Sequence, residues 1–311
     1  MNSFESLSVV SRSPLVVGLG ELIWDLLPEG KQLGGAPTNF AYISRLLGNE
    51  TAVASRVGAD EPGHEALRRL ERMGISTRYL QVDGQHPTGT VRVRIDEHGE
   101  ARFEVNEGSA WDYLELTVEW EELASMADAI CFGTLGQRRS QARQSILGFL
   151  KLTRASAVRV FDVNLRHSFF TPEMLIESLK LATIVKLSSE ELAMVGHMLE
   201  LNEDGEEALS RRLRAEFDLS LVAITRGANG SLLVTDSDAI SHPGVRVEVV
   251  DTIGAGDAFT ATLVHYYLRR ASLTTISEAA NRMGSWITTK AGATPEASTQ
   301  MLKVLLSRTS T

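Results

Sequence analysis

The chain has 311 residues, 43% hydrophobic and 23% charged, and its 31 basic and 40 acidic side chains give a formal net charge of −9. That is an ordinary globular composition, long enough for one large α/β domain or two smaller ones, and without a basic run it disfavours a nucleic-acid surface. The single cysteine, Cys131, excludes an internal disulfide and any multi-cysteine metal site. No apolar run reaches membrane-spanning length and residues 1–14 hold no apolar signal core, so no membrane partner is expected and the cytoplasm is the expected location.

In chain order, residues 15–20 read as a buried first strand. Its Gly18-Leu19-Gly20 is half of a dinucleotide fingerprint, but Ile23 stands where the third glycine belongs, and a nicotinamide dehydrogenase is disfavoured. Gly30-Lys31-Gln32 is likewise no phosphate loop of the Walker type. Asp25, just beyond the strand, is either a solvated loop residue or a carboxylate facing a ligand crevice, as such positions do in parallel sheets. Gly34 and Gly35 are turn glycines or backbone contacts to a ligand, and Asn39 is a helix-start residue or a donor–acceptor for a hydroxyl. A strand over 51–57 and an amphipathic helix over 62–73 follow. Segments 90–95 and 102–105 alternate apolar with charged residues around Glu97-His98-Gly99-Glu100, the pattern of a hairpin with one wet face.

From residue 127 onward strands and helices alternate. Strands at 129–132, 158–163 and 184–187 precede helices at 140–152, at 172–181 and from 189. A charged helix near 203–216 precedes a strand at 221–225. Repeated β–α units predict a mainly parallel sheet with helices on both faces. Asp162-Val163-Asn164-Leu165-Arg166 leaves a strand at the ligand-bearing end, where Arg166 is a surface residue or a fork for a phosphoryl oxygen. Lys186-Leu187-Ser188-Ser189-Glu190-Glu191 leaves the next one, with Ser188 and Ser189 also readable as a helix cap. Thr225-Arg226-Gly227-Ala228-Asn229-Gly230 is by itself a turn between two strands.

The most informative stretch is Asp251-Thr252-Ile253-Gly254-Ala255-Gly256-Asp257. The β-branched alternation of 245–250 predicts a strand before it, and helical spacing follows through residue 270. Glycines at a helix N-terminus suit a phosphate, because the amides there lack partners and carry partial positive charge. Asp257 is out of place beside an anion unless it accepts a proton from an attacking hydroxyl; its plain alternative is a helix cap.

Asp251-Thr252-Ile253-Gly254-Ala255-Gly256-Asp257 resembles the C-terminal signature of the ribokinase-like (PfkB) sugar kinases. Gly34-Gly35-Ala36-Pro37-Thr38-Asn39 resembles that family's sugar-binding segment. Gly20-Glu21-Leu22-Ile23-Trp24-Asp25 and Phe161-Asp162-Val163-Asn164-Leu165-Arg166 look most like fructokinases. The resemblance implies a ribokinase-like α/β fold, one domain over 1–311, carrying a small β lid from segments near 22–34 and 88–106, with a homodimer through the lid. It implies ATP-dependent phosphorylation of a primary hydroxyl of a sugar, fructose before ribose, a nucleoside or 2-keto-3-deoxygluconate. An acidic sugar would call on Arg92, Arg94, Arg102 or Arg166. A sugar-binding regulator on a kinase fold is the reading from a different class.

The implied roles are residue by residue. Asp257 is the base, the amides of Gly254, Ala255 and Gly256 form the anion hole, and Arg166 clamps the phosphoryl group. Asp25, Gly34, Gly35, Asn39 and Asn164 hold the sugar. Ser188, Thr225, Gly227, Gly230 and Asn281 hold ATP. Glu191 orders Mg2+, through water if not directly, while Asp251 and Ile253, with the loop near Lys290-Ala291-Gly292-Ala293, hold a monovalent cation such as K+.

Overall fold

The structure is a computed structural model and describes residues 12–27, 30–95, 101–166 and 169–307, the side chains of 27, 93–95, 101–103 and 299 excepted. The expected hairpin turn at 97–100, His167, and the side chains of Arg94 and Arg102 lie outside the described residues. In chain order the first half runs β1 (Leu15–Leu19), β2 (Ile23–Leu27), β3 (Gly30–Gly34), α1 (Ala36–Leu46), β4 (Glu50–Gly58), α2 (Glu61–Arg72), β5 (Leu80–Asp83), β6 (Gly89–Ile95), β7 (Ala101–Val105), α3 (Val118–Met126), β8 (Ala129–Phe132), α4 (Ser140–Leu152) and β9 (Val158–Asp162). The second half runs α5 (Pro172–Leu181), β10 (Ile184–Ser188), α6 (Ser189–Met198), α7 (Glu206–Glu216), β11 (Leu221–Thr225), β12 (Ser231–Val234), β13 (Ala239–His242), α8 (Ala255–Leu268), α9 (Leu273–Thr288) and α10 (Thr299–Ser307).

Among the described residues nine strands form the main sheet, in the order β13-β12-β11-β10-β9-β8-β1-β4-β5. All its pairings are parallel except those of β12 with β11 and β13. Strand alternation sends successive side chains to opposite faces. Val17, Leu19, Ile130, Phe132, Phe161, Val185 and Leu187 enter one core, with Phe149 of α4, Leu179 of α5 and Leu192 of α6. Val16, Ala129, Cys131, Val160 and Ile184 enter the other, with Phe40 of α1, Leu263 of α8 and Met283 of α9. Each large apolar side chain so buried contributes roughly 1.5–3 kcal/mol. Two helical layers therefore clamp the sheet and fix the strand ends rigidly.

A smaller second sheet has the order β3-β2-β6-β7 and comes from the two segments expected to cover a ligand. Strand β2 pairs in parallel with β6 and antiparallel with β3. Trp24 is buried and its indole N–H donates to the Pro62 carbonyl, which fastens this sheet to α2.

Asp25 lies within β2, opposite Gln32 of β3 and Val91 of β6, so of its two readings the loop residue falls away. One expectation changes. Residues 245–250 pair with no strand among the described residues. The main sheet ends at β13, so their alternation has no ladder to join, and Val247, Val249 and Val250 are exposed. The amides of Val250 and Asp251 instead share the Thr288 carbonyl at the end of α9. The glycine turn therefore joins a loop to α8, not a strand to α8.

Candidate active site

The parallel strands end at a cleft of about 1010 Å³ between the main sheet and the smaller one. The carboxyl ends of parallel strands are where open α/β sheets place ligands. Asp25, Gly35, Asn39, Asn164, Arg166, Ile253, Gly254, Gly256 and Asp257 line it, so residues from widely separated stretches of sequence converge as expected.

The start of α8 forms one wall. Gly254 takes φ 78°, the left-handed region that glycine tolerates, and an added Cβ would meet Ala293 Cβ at 2.4 Å. No side chain caps this helix. The Ala255 amide donates to the Thr252 carbonyl at 3.3 Å, a correction to its assignment as an open anion donor. The amides of Gly256 and Asp257 find no acceptor among the described residues. Two free N–H groups at a helix N-terminus suit an anion.

Asp257 Oδ2 accepts from Asn39 Nδ2 at 2.8 Å, which ties the two most distant motifs together. Burial pushes the Asp257 carboxyl up to about 6 and the neighbouring Asp162 adds to this, against the Asn39 hydrogen bond and the charges of Lys186 and Arg166. A carboxylate poised near neutrality is suited to take a proton from a hydroxyl.

Behind that wall lies a network whose functional weight the motifs did not indicate. Lys186 is buried, its Nζ donating to Asp162 Oδ1 at 3.0 Å, and Thr260 Oγ1 donates to Asp162 Oδ2 at 2.9 Å. A Cβ on Gly256 would stand 3.0 Å from Lys186 Nζ, so the ammonium sits directly beneath the glycine turn. Asp162 and carboxylates nearby hold Lys186 above the ordinary lysine range against the opposing effect of burial, so it stays charged. The available signal was a lysine inside an apolar strand beside another strand ending in aspartate. In register the two residues are partners.

Glu21 was also missed as a site residue. It is 3% exposed, lines the cleft, and burial pushes it up to about 7, with Asp257 adding to the shift. Asp25 is pushed up to about 6 by burial and by the nearby Asp251. Gly34 stands behind it: a Cβ there would meet Asp25 Oδ2 at 2.3 Å, so this glycine makes room for the carboxylate. Gly35, at φ 98°, packs on the Glu21 carbonyl. Asn164 also adopts a left-handed φ, 41°, which asparagine tolerates better than most residues.

The residues assigned to ATP and metals are placed less uniformly. Ser188 and Thr225 are register partners at the ends of β10 and β11, and Gly227, at φ 55°, has open space around it. Gly230 is explained by packing, since a Cβ there would lie 2.0 Å from the His242 carbonyl oxygen. Asn281 is buried, its amide donating to Ser231 Oγ and the Ser277 carbonyl, and it braces α9 against β12 away from the cleft lining. Glu191 forms a capping box with Ser188 and also accepts from the Leu165 amide at 2.7 Å. Asp251 accepts from the Ile253 and Gly292 amides, which clips the loop before α8 to the loop after α9. Among the described residues no cluster of His, Cys, Asp or Glu could cage a metal ion, and no helix is long and apolar enough to cross a membrane.

A mainly parallel sheet flanked by helices, with a second smaller sheet over its carboxyl edge, is a ribokinase-like α/β architecture. The pfkB family carbohydrate kinase model matches residues 29–300. An Escherichia coli fructokinase is 31% identical over 264 residues, covering 79% of this chain and 82% of the relative. The aminoimidazole riboside kinase of Salmonella typhimurium is 28% identical, covering 82% and 81%. The structure of Vibrio cholerae fructokinase with fructose, ADP and calcium superposes with a TM-score of 0.79 at 26% identity, covering 95% of this chain and 98% of that one. A sugar kinase of Pyrococcus horikoshii in complex with ATP gives 0.78 at 28% identity, covering 90% and 94%. This chain belongs to the pfkB family of carbohydrate kinases, phosphotransferases with an alcohol acceptor.

Proposed function

We propose that the protein transfers the γ-phosphate of ATP to a primary hydroxyl of a sugar, with fructose the leading substrate. The observation that carries this reading is Asp257 held by Asn39 beside the free amides of Gly256 and Asp257. The sugar would lie between the smaller sheet and α1, with Asp25, Asn39 and Asn164 at its hydroxyls. Asp257 takes the proton of the attacking hydroxyl. The two amides, Arg166 and the Lys186 charge beneath Gly256 stabilise the negative charge spreading over the transferring oxygens. Positioning and electrostatics carry most of such a reaction.

ATP would run along the ends of β10 and β11 past Ser188, Thr225 and Gly227. The fructokinase and P. horikoshii structures, which hold ADP and ATP, support a nucleotide of this kind. Divalent metal fits as a passenger on the phosphates, because Mg2+ keeps much of its water shell and no carboxylate cage is present among the described residues. It would neutralise phosphate charge. Glu191, engaged by two amides, would meet it through water. A potassium ion would sit where Asp251 joins the two loops.

The smaller sheet would act as a lid that excludes water from the transfer. A sugar-binding regulator is disfavoured by the pairing of a near-neutral aspartate with two free amides, which binding alone does not need. Asp257→Asn keeps the shape and removes the base, so turnover should fall about 100-fold or more while sugar binding persists. Unchanged turnover in a folded Asp257→Asn protein would remove this residue from the mechanism.

A further inference from the structure

Strands β6 and β7 leave the body of the protein and return to it at one place, and Arg138 stands there, in the segment between β8 and α4. Its side chain is 3% exposed, and Asp112, on the short 3-10 helix Ala110–Tyr113 that follows β7, is fully buried. Nε and Nη2 fork onto the two Asp112 oxygens at 2.6 and 2.8 Å, and Nη2 also donates to the Asn106 carbonyl at 2.6 Å. Asn106, just past β7, holds the base of β6 as well: its amide donates to the Thr90 carbonyl at 3.1 Å and its Nδ2 to Thr90 Oγ1 at 2.6 Å. The Ala110 amide donates to the Pro87 carbonyl at 2.8 Å, a second tie between the two roots. The guanidinium lies 4.0 Å from the centre of the Trp111 ring and 5.1 Å from that of Phe169. Trp111 is buried against β6, since a Cβ on Gly89 would stand 2.3 Å from its indole nitrogen.

The segment that carries Arg138 also touches the other side of the cleft. Leu135 lines the cleft, and Thr134 Oγ1 donates to the Val163 and Asn164 carbonyls at 2.9 and 3.2 Å, just before Arg166. The smaller sheet shares no strand pairing with the main one among the described residues, so its stance rests on side-chain ties. Trp24 fastens the β2 side, and Arg138 the β7 side. Building on the kinase reading, we infer that Arg138 is a positioning residue: it anchors the root of the smaller sheet and so sets how Val91, Glu104 and Val105 stand over the sugar, opposite Asn164 and Arg166. Arginine suits the place. Its planar fork meets both carboxylate oxygens and a carbonyl at once while its face stacks on aromatic rings, where lysine offers a single point charge. The neighbouring Arg139 is 46% exposed and comes only to 4.0 Å from Asp112, so it does not replace the fork.

The test is Arg138→Lys, which keeps the charge and loses the fork. With Mg-ATP and D-fructose, kcat/KM for the sugar should fall about 100-fold, as for a group misplaced by about 1 Å, while KM for ATP changes less than about threefold. Water should then reach the transferring phosphate, so ADP released should exceed fructose phosphate formed, where the natural enzyme makes the two in equal amounts. Hydrogen exchange on the ligand-free protein reads the anchor without catalysis: amides of β6 and β7 should exchange about tenfold faster, with those of β8 and β9 unchanged. If Arg138→Lys does not fold, Arg138→Gln with Asp112→Asn removes both buried charges together and takes its place. Unaltered kcat/KM with equal ADP and fructose phosphate would overturn the inference. So would exchange that is unchanged in β6 and β7, or raised equally in the main sheet, which would make Arg138 a brace of the whole fold. Exchange also keeps the two claims apart. A rise confined to β6 and β7, in a protein that transfers phosphate to no sugar, supports the anchor and removes the kinase reading. Normal transfer with unchanged exchange keeps the kinase and removes the anchor.

Discussion

Two helices begin near the carboxyl edge of the main sheet, and the sequence offered both as sites for phosphate or its metal. The α6 start is closed: Ser188 and Glu191 cap each other, and Glu191 also takes the Leu165 amide. The α8 start is open: its cap is a glycine, no side chain makes a capping hydrogen bond among the described residues, and the amides of Gly256 and Asp257 are free at the cleft lining. A helix N-terminus is an anion site only where its own side chains leave the amides free. On the proposed function the contrast gives α8 the direct contact with the transferring phosphate, and leaves Glu191 of α6 a bracing residue that meets the metal only through water.

The largest expected effect strikes the open start. Gly254→Ala introduces a methyl at φ 78° against Ala293 and tilts the amides away, so kcat should fall about 100- to 1000-fold, as for loss of an anion-hole donor. Steady-state kinetics on protein with a normal circular dichroism spectrum would check it. Lys186→Met leaves Asp162 as an uncompensated buried charge and should destabilise by about 3–5 kcal/mol in urea titrations. The paired change Lys186→Met with Asp162→Asn should recover part of that stability without recovering turnover, if the ammonium also serves the transferring phosphate.

The closed start should respond in the opposite sense. Glu191→Ala removes a cap and should cost about 1 kcal/mol of stability, with turnover changed less than tenfold. A hundredfold loss of turnover with an altered metal requirement would instead make Glu191 a direct metal ligand. The smallest effects are in pH. Asp257 must be ionised to act, so kcat/KM should rise with pH through about 6 and then level off. Stability should run the other way. Burial raises Glu21, so the folded state binds its proton more tightly than the unfolded chain; stability is fullest below the unfolded value and declines as pH rises through about 7. Thermal melts of Glu21→Gln should show that decline reduced.

The fold was legible wherever period and punctuation agreed. Residues 140–152 and 172–181 carried helical spacing, and α4 and α5 occupy those bounds. The misreading at 245–250 followed from trusting alternation where, among the described residues, no strand pairs with it. In the site, Asp257, Asn39 and the glycines could be named because each stands in a short motif. That Asn39 bonds Asp257 across 218 positions of sequence is a product of packing. Lys186 and Asp162 were hidden for a related reason, since each lies in its own strand and only parallel register makes them a pair. The caps of α6 could be read two ways, and the Leu165 amide on Glu191 adds a bracing contact that neither motif announced.

The most direct measurement is ADP release from Mg-ATP with fructose, ribose, 2-keto-3-deoxygluconate and nucleosides, run on the natural chain and on Asp257→Asn. The account predicts strong stimulation by a sugar, fructose foremost, and its loss in the variant while calorimetry still detects the sugar. Stimulation that survives in Asp257→Asn would contradict the assignment of the open α8 start as the catalytic centre.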